Sequence, residues 1–296
     1  ADTSEMGDSQ VADWVIQQLG KDYDQPVFLA CGFFRPHLPW FVPKEYFEPF
    51  PLDSIILPNV NENDLDDVPP AGVKMARPDG DHKFVTEHDQ WKQAVQAYLA
   101  SIYFMDSCLG RVVKALDERD DSEEWVIVLW SDHGWHLGEK LHWRKFSLWE
   151  EATHNVMLWV VPEITKPGSR CDEPVGLIDI YPTLVDVCNL EKKSGLDGTS
   201  LLPQLKDPAA ERAEPAITTH GYANHSVRTR DWRYIRYADG SEELYNRAKD
   251  PMEWTNLVDK PEFAEIKKEL SARLPATDAN PLPQTGKNAA AKANNK

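Results

Sequence analysis

Apolar positions along the first two thirds of the chain follow two alternating patterns. Val11, Trp14, Val15 and Leu19 are spaced at three and four, which predicts a helix over 11–19. Trp91, Val95, Tyr98, Leu99, Ile102, Met105, Leu109, Val112, Val113 and Leu116 keep the same spacing, so a long amphipathic helix is expected over 90–117, with Asp89 as its N-cap. IDIYPTLVDVC (178–188) reads as a further helix, with Asp179 able to cap it and Pro182 in the first turn, where a missing N–H costs little. Between the helices lie continuous apolar runs, VFLACGF (27–33), WVIVLW (125–130) and VMLWVV (156–161). Strands covered on both faces have this composition, because neither side needs polar residues. Such strands alternating with helices predict an α/β fold with a mainly parallel sheet flanked by helices.

The pattern changes twice. Residues 35–80 are rich in proline and poor in periodic apolar positions, so a long surface excursion is expected there, of the kind that walls active sites. After about residue 215, WRYIRY (232–237), Asp239-Gly240 and EELY (242–245) predict a β-hairpin with a type I′ turn. A charged amphipathic helix is expected over 261–274. Residues 276–296, rich in Ala, Asn, Lys and Pro, are expected to be disordered. The expected organisation is thus an α/β domain over 1–214, a small antiparallel C-terminal subdomain over 215–275 and a tail over 276–296.

Charge narrows the partners. The 296 residues hold 49 Asp and Glu against 32 Lys and Arg, a net charge of −17. Phosphate binding needs Lys and Arg in excess, so a chain of this balance repels nucleic acid and anionic membranes, and the charge reads first as a source of solubility. An anionic substrate would need a local pocket to overcome the global field. No apolar run approaches the ~18 residues of a membrane span, and the opening residues have no apolar stretch of the signal-peptide kind. The cysteines show no C-x-x-C spacing. Cys31 and Cys108 lie in apolar runs and are expected to be buried, while Cys171 and Cys188 are left either free or paired.

Candidate chemistry gathers where the apolar runs end. SDHGWHLGEKLHWRK (131–145) follows the run 125–130 directly. In open α/β sheets ligands bind at the carboxyl ends of strands, so Asp132 and His133 leave the sheet where a site belongs. The carboxylate is a hard ligand for a divalent cation, and imidazole is both a ligand and an acid–base group. Lys145 and two more histidines, His136 and His142, follow within a dozen residues. In FFRPHLPWFVP (33–43), His37 sits between Pro36 and Pro39, which makes it either a catalytic group pre-ordered on a stiff backbone or a histidine of a proline-rich surface loop. HGYANHSVR (220–228) is a polar loop after a strand, which puts Asn224 and His225 either against a substrate or in the service of the loop's own backbone.

Four ordered segments resemble the sulfatase family of the alkaline phosphatase superfamily. FFRPHLPW resembles its K/R-P-H segment, SDHGWHLGEKLHWRKFS its S-D-H-G…LGE…W-x-K segment, IDIYPTLVDVCNL its D-I-x-P-T-L segment and ELYNRAKDPMEWTNL its closing E-L-Y-D…D-P-x-E…N-L segment. The resemblance runs from about residue 10 to 275 and lies nearest iduronate-2-sulfatase-type enzymes. It implies an alkaline-phosphatase-like fold, a sulfuric ester hydrolase, a sulfated carbohydrate or other sulfate ester as substrate, and a periplasmic, secreted or lysosome-like setting. It also implies calcium held by Asp132 and His133, sulfate contacts from Lys145 and His37, and His37 as a proton donor to the leaving oxygen. Two family features are absent from the 296 residues. One is C/S-x-P-x-R, whose Cys or Ser becomes the formylglycine nucleophile. The other is an Asp pair after a buried strand that completes the metal site. In the family both precede the K/R-P-H segment, so the remaining calcium ligands are expected upstream and the chain alone is expected to be inactive. The alternatives are a noncatalytic relative that binds sulfated glycans, and a phosphatase or phosphodiesterase of the same superfamily.

Overall fold

The structure, a computed structural model, describes residues 2–279. Helix α1 (Gly7–Leu19) buries Ala12, Val15 and Leu19, positions that share one helical face. Two short helices, α2 (Pro70–Ala76) and α3 (Asp81–Glu87), precede the long α4 (Trp91–Asp117). Helix α4 lies against α1, closing one core around Ala12, Tyr46, Ala100, Phe104 and Cys108 and another around Val15, Leu19 and Leu116. Asp89 is not the N-cap of α4. Its φ is 52°, and Gln90 takes the cap position with no side-chain bond. The chain leaves α3 through this left-handed residue, and the Gln90 N–H instead donates to Val85 O at 2.9 Å.

Strand β1 (Ile127–Trp130) leads to the short β2 (His136–Leu137) and β3 (Trp143–Arg144), then helix α5 (Glu150–Thr153) and strand β4 (Met157–Val160). Strand β1 pairs with β4, Ile127 opposite Val160, and β2 pairs with β3. Among the described residues every ladder is antiparallel. The mainly parallel pairing expected from the apolar runs is therefore not formed by these residues among themselves. The run 27–33 shows why. Its backbone is not hydrogen-bonded as a strand. Leu29 and Phe33 pack on the helical cores, but Phe28 is 81% exposed and Cys31, expected inside, is exposed too. An apolar run becomes a buried strand only when partners cover its edges and faces.

Helices α6 (Ile180–Val187) and α7 (Leu202–Lys206) follow. Asp179 takes the N-cap position of α6 but makes no side-chain capping bond to it. Its carboxylate accepts from Gly176 N, Thr199 N and Arg212 Nη2, each at 2.8 Å, and clamps three segments together. A four-stranded antiparallel sheet completes the chain: β5 (Ala216–Thr219), β6 (His225–Arg228), β7 (Trp232–Arg236) and β8 (Glu242–Asn246) in that order. The β7–β8 hairpin is not closed by a type I′ turn. Gly240 N donates to Tyr237 O and Tyr237 N to Ser241 O, both at 2.9 Å, and of Asp239 and Gly240 only the glycine has positive φ, 87°. This is a three-residue loop, a turn followed by one left-handed residue, which glycine adopts without steric cost.

Helix α8 (Ala264–Ser271) covers one face of this sheet through a core of Val227, Tyr234, Leu244 and Leu270. The other face meets α2 and α5 around Val68, Ala76, Leu148, Trp149, Ile235, Tyr237 and Tyr245. The end of the proline-rich excursion thus returns into the core. Within the expected tail, Asp278 Oδ1 lies 2.7 Å from His225 Nε2; residues 280–296 lie outside the described residues.

A buried ionic network ties the sheet to α5. Arg233 of β7, 1% exposed, donates to Leu148 O at 3.0 Å, Ser226 Oγ at 2.6 Å, Glu253 Oε1 at 2.5 Å and Glu150 Oε2. Arg228 and Arg247 also pair with Glu150, at 3.0 and 3.1 Å. Burial alone would push the Glu150 carboxyl up, but Arg233, Arg228 and Arg247 together hold it well below the usual range. Lys140 and Asp64, each 2% exposed at the side chain, form a second buried pair at 2.7 Å.

Candidate active site

Strand β1 hands the chain to the Asp132-His133-Gly134 turn. Ser131 N donates to Val156 O at 3.2 Å and Ser131 Oγ to His133 O at 2.9 Å, which fixes how the turn leaves the sheet. Gly134 N then donates to Ala152 O at 2.8 Å. A Cβ at position 134 would stand 2.1 Å from Glu151 O and 2.6 Å from His154 O, so only glycine lets α5 approach this turn.

The His133 ring is oriented by its backbone. Nδ1 lies 2.8 Å from Gly134 O, an acceptor only, so Nδ1 carries the proton. Nε2 faces Asp132 Oδ2 at 3.2 Å. In the neutral ring, that opposes a lone pair to a carboxylate oxygen, and only a proton or a cation between them makes the contact favourable. Metal-bound histidines characteristically donate their second ring nitrogen in this way. The Asp132 side chain is 80% exposed and open to an ion. The pair fits as two donors of a divalent-cation shell. It does not fit as a complete calcium site, which takes six or more oxygens as a general figure, and no group of three or more His, Cys, Asp or Glu among the described residues could hold a metal.

His37 is brought to the same place. Asp8, in the first turn of α1 and 7% exposed, accepts from Phe34 N at 2.8 Å and Arg35 N at 2.9 Å, anchoring the loop. His37 Nδ1 lies 2.7 Å from Leu38 O, so Nδ1 is again the protonated nitrogen and Nε2 is left for other work. The meeting point is Trp135. Its ring centroid lies 6.0 Å from that of His37 and 6.1 Å from that of His133, with Tyr98 stacked on it at 6.1 Å. Two histidines from separate loops therefore share one indole.

Lys145 follows β3. Its Nζ lies 5.7 Å from the centroid of the Phe146 ring. Phe146 packs on His220, centroids 5.5 Å apart. Among the described residues no carboxylate pairs with the Lys145 ammonium group, and no hydrogen bond or ring contact links it directly to His37, Asp132 or His133. It is instead beside the β5–β6 loop. There Asn224 Nδ2 donates to His220 O at 2.9 Å and Tyr222 O at 3.1 Å, while Asn224 Oδ1 accepts from Ala238 N at 3.0 Å. The amide is spent on shaping the loop. His225 is 2% exposed, with Nδ1 2.8 Å from Thr219 Oγ1 and Nε2 2.7 Å from Asp278. Both ring nitrogens of His225 are thus engaged within the fold.

His136 and His142, which made the 131–145 segment look dense in chemistry, are core residues. His136 is fully buried between Glu139 O and Ser147 Oγ, and burial, reinforced by neighbouring His142, drives its pKa well below the ordinary value. His142 is held neutral mainly by burial and bonds Ala76 O at 2.7 Å. The sequence reading did not single out Asp8, Trp135 or Glu150. Asp8 and Glu150 are two carboxylates among 49, and nothing in their spacing marks them. Trp135 lay within the quoted motif but carries no titratable group to draw notice.

A family model described as "Sulfatase" matches residues 2–190, and one described as "N-sulphoglucosamine sulphohydrolase, C-terminal" matches 138–280. A "Sulfatase" of Formosa agariphila is 40% identical over 278 residues, covering 93% of this chain and 54% of the relative. Human "Iduronate 2-sulfatase" is 28% identical over 305 residues, covering 88% and 53% respectively. The chain thus spans about half the length of the curated relatives it matches. A solved protein in complex with its substrate D-glucosamine-2-N,6-O-disulfate superposes with a TM-score of 0.72 at 21% identity, over 90% of this chain and 68% of that one. At that identity the likeness shows the fold, which is alkaline-phosphatase-like α/β.

Proposed function

The chain belongs to the sulfatase family, and on that premise we propose that it supplies the sulfate-binding side and part of the cation site of a sulfuric ester hydrolase acting on sulfated sugars. The observation that carries the reading is the convergence of His37 and the Asp132–His133 pair on Trp135.

Cleavage of a sulfate ester moves negative charge onto the bridging oxygen of the leaving alcohol. His37, its Nδ1–H tied to Leu38 O, can present a protonated Nε2 to that oxygen when the ring is charged. Lys145, with no carboxylate partner among the described residues, answers the charge on the sulfuryl oxygens. Its isolation matters in a chain of net charge −17, because an ammonium group already paired with a carboxylate would offer an anion little. Asp132 Oδ2 and His133 Nε2 would hold a divalent cation, calcium in this reading, as part of a larger shell. When bound, such an ion supplies charge stabilisation to an oxyanion. Asn224 serves by holding the loop that borders Lys145, and the subdomain beginning near residue 215 carries that loop.

No C/S-x-P-x-R occurs in the 296 residues. That favours binding without turnover for this chain by itself. Titration with inorganic sulfate, followed through the NMR signals of His37 and the Lys145 ammonium group, tests the reading. Saturable shifts at both are expected, and Lys145→Ala should weaken binding by about tenfold or more. Signals that stay fixed through the titration would overturn it.

A further inference from the structure

Beside Lys145 the structure holds an exposed aromatic surface that the roles above do not use. Phe146 is 56% exposed, although it neighbours buried Ser147 and Leu148 in sequence. Its ring packs on His220 with an interplanar angle of 34°, so the two form a tilted ledge rather than an interlocked core contact. Lys145 Nζ sits 5.7 Å from the Phe146 centroid. Two residues beyond His220, Tyr222 is also 51% exposed.

The loop that presents His220 is built for rigidity. Asn224 spends its amide on His220 O, Tyr222 O and Ala238 N. Ala223 holds φ of 56°, the left-handed region that a residue with a Cβ enters at a steric cost. Strained positions of this sort concentrate where a surface must be held in one shape for a ligand.

We propose that Phe146 and His220 form a stacking platform for the pyranose ring of a sulfated sugar whose sulfate is held by Lys145. This names the substrate contact of the site and rests on the sulfatase reading above. The chemistry is specific in kind. The axial C–H groups of a pyranose present an apolar face that fits a flat ring, while its hydroxyls need donors and acceptors at the edge. Phe146 supplies the flat face, and the His220 imidazole supplies polar edge atoms beside it. The ammonium group near the same ring then favours a sugar carrying an anion over a neutral one. A bare sulfate ion would meet Lys145 and leave the platform empty.

Binding to the chain is measured by calorimetry and saturation-transfer NMR with three probes: glucosamine 6-sulfate, unsulfated glucosamine and inorganic sulfate. Glucosamine 6-sulfate is expected to bind tightest, with transfer strongest at its ring protons. Phe146→Ala should weaken it by roughly five- to tenfold while leaving inorganic sulfate unchanged, and Phe146→Trp should restore it. His220→Ala and Asn224→Ala should act in the same direction. Phe146 is exposed, so its replacement leaves the fold intact, and circular dichroism checks this. If glucosamine 6-sulfate binds Phe146→Ala as well as the parent, or if both sulfated probes weaken equally, the platform is overturned and the sulfate-binding reading survives. If the parent binds none of the probes, both are overturned.

Discussion

At Glu151 the carboxyl group is pushed up to about 7, first by burial and then by the negative charges of Glu139, Glu150 and Glu253. Its ordinary value is 4.5. The folded state therefore binds a proton at pH values where the unfolded chain has released it. Such a group contributes stability in full below about pH 4.5 and loses it as pH rises towards 7. Glu151→Gln keeps the neutral form at every pH. Urea midpoints measured at pH 5 and pH 7 should show a smaller fall for Glu151→Gln than for the parent, and equal falls would show that Glu151 is not strained by its neighbours. Because Glu151 O presses on Gly134, this residue also stands directly behind the Asp132–His133 turn. Neighbouring residues thus carry opposite electrostatics: Glu150 is held low by three arginines and Glu151 is raised by acids.

Among elements, the decisive joint is between α5 and the four-stranded sheet. Arg233 reaches out of β7 to Glu150 and Leu148 O, and so fixes the segment that runs from Lys145 into α5. Removing one partner of a buried ionic group strands the others without solvent. Arg233→Ala is expected to lower stability by about 3–5 kcal/mol, read from urea unfolding. The same substitution should also loosen the Phe146–His220 contact, since those two residues sit on the two sides of this joint. A loss under about 1 kcal/mol, the level of an exposed ion pair, would show that packing of Trp149 and Tyr245 holds the joint without the network.

For the whole molecule, the sulfatase resemblance and the missing nucleophile motif combine into two expectations. No turnover of an aryl sulfate is expected from this chain alone, because Lys145 and His37 can stabilise charge but nothing is placed to attack sulfur. Turnover above a heat-denatured control would refute this. Calcium binding is expected to be weak, with calorimetry giving a dissociation constant above about 10⁻⁴ M, since two donors replace only a fraction of the hydration shell. Tight stoichiometric binding, abolished by Asp132→Asn, would show instead that the chain holds a full shell. No helix among the described residues is long and apolar enough to cross a membrane.

The helices were legible because each is a local object. Val15 and Leu19, or Val95 and Leu116, lie on a buried face at spacings that a single helix imposes, whatever it packs against. The hairpin of β7 and β8 was legible from its own turn residues, although the turn type was not: Asp239 and Gly240 are equally compatible with two loop lengths, and strand register decides between them. The motif segments marked His37, Asp132 and His133 as candidates, because those residue types follow apolar runs. What they could not reveal was how non-local partners use them. A strand is made by its neighbours, so 27–33 could be read as apolar but not as paired. That both nitrogens of the His225 ring and most of the Asn224 amide meet partners within the fold was likewise not legible locally. Asp8, Trp135 and Arg233 carry no local signature at all. Their importance lies in contacts with residues distant in sequence, and only the fold sets those distances.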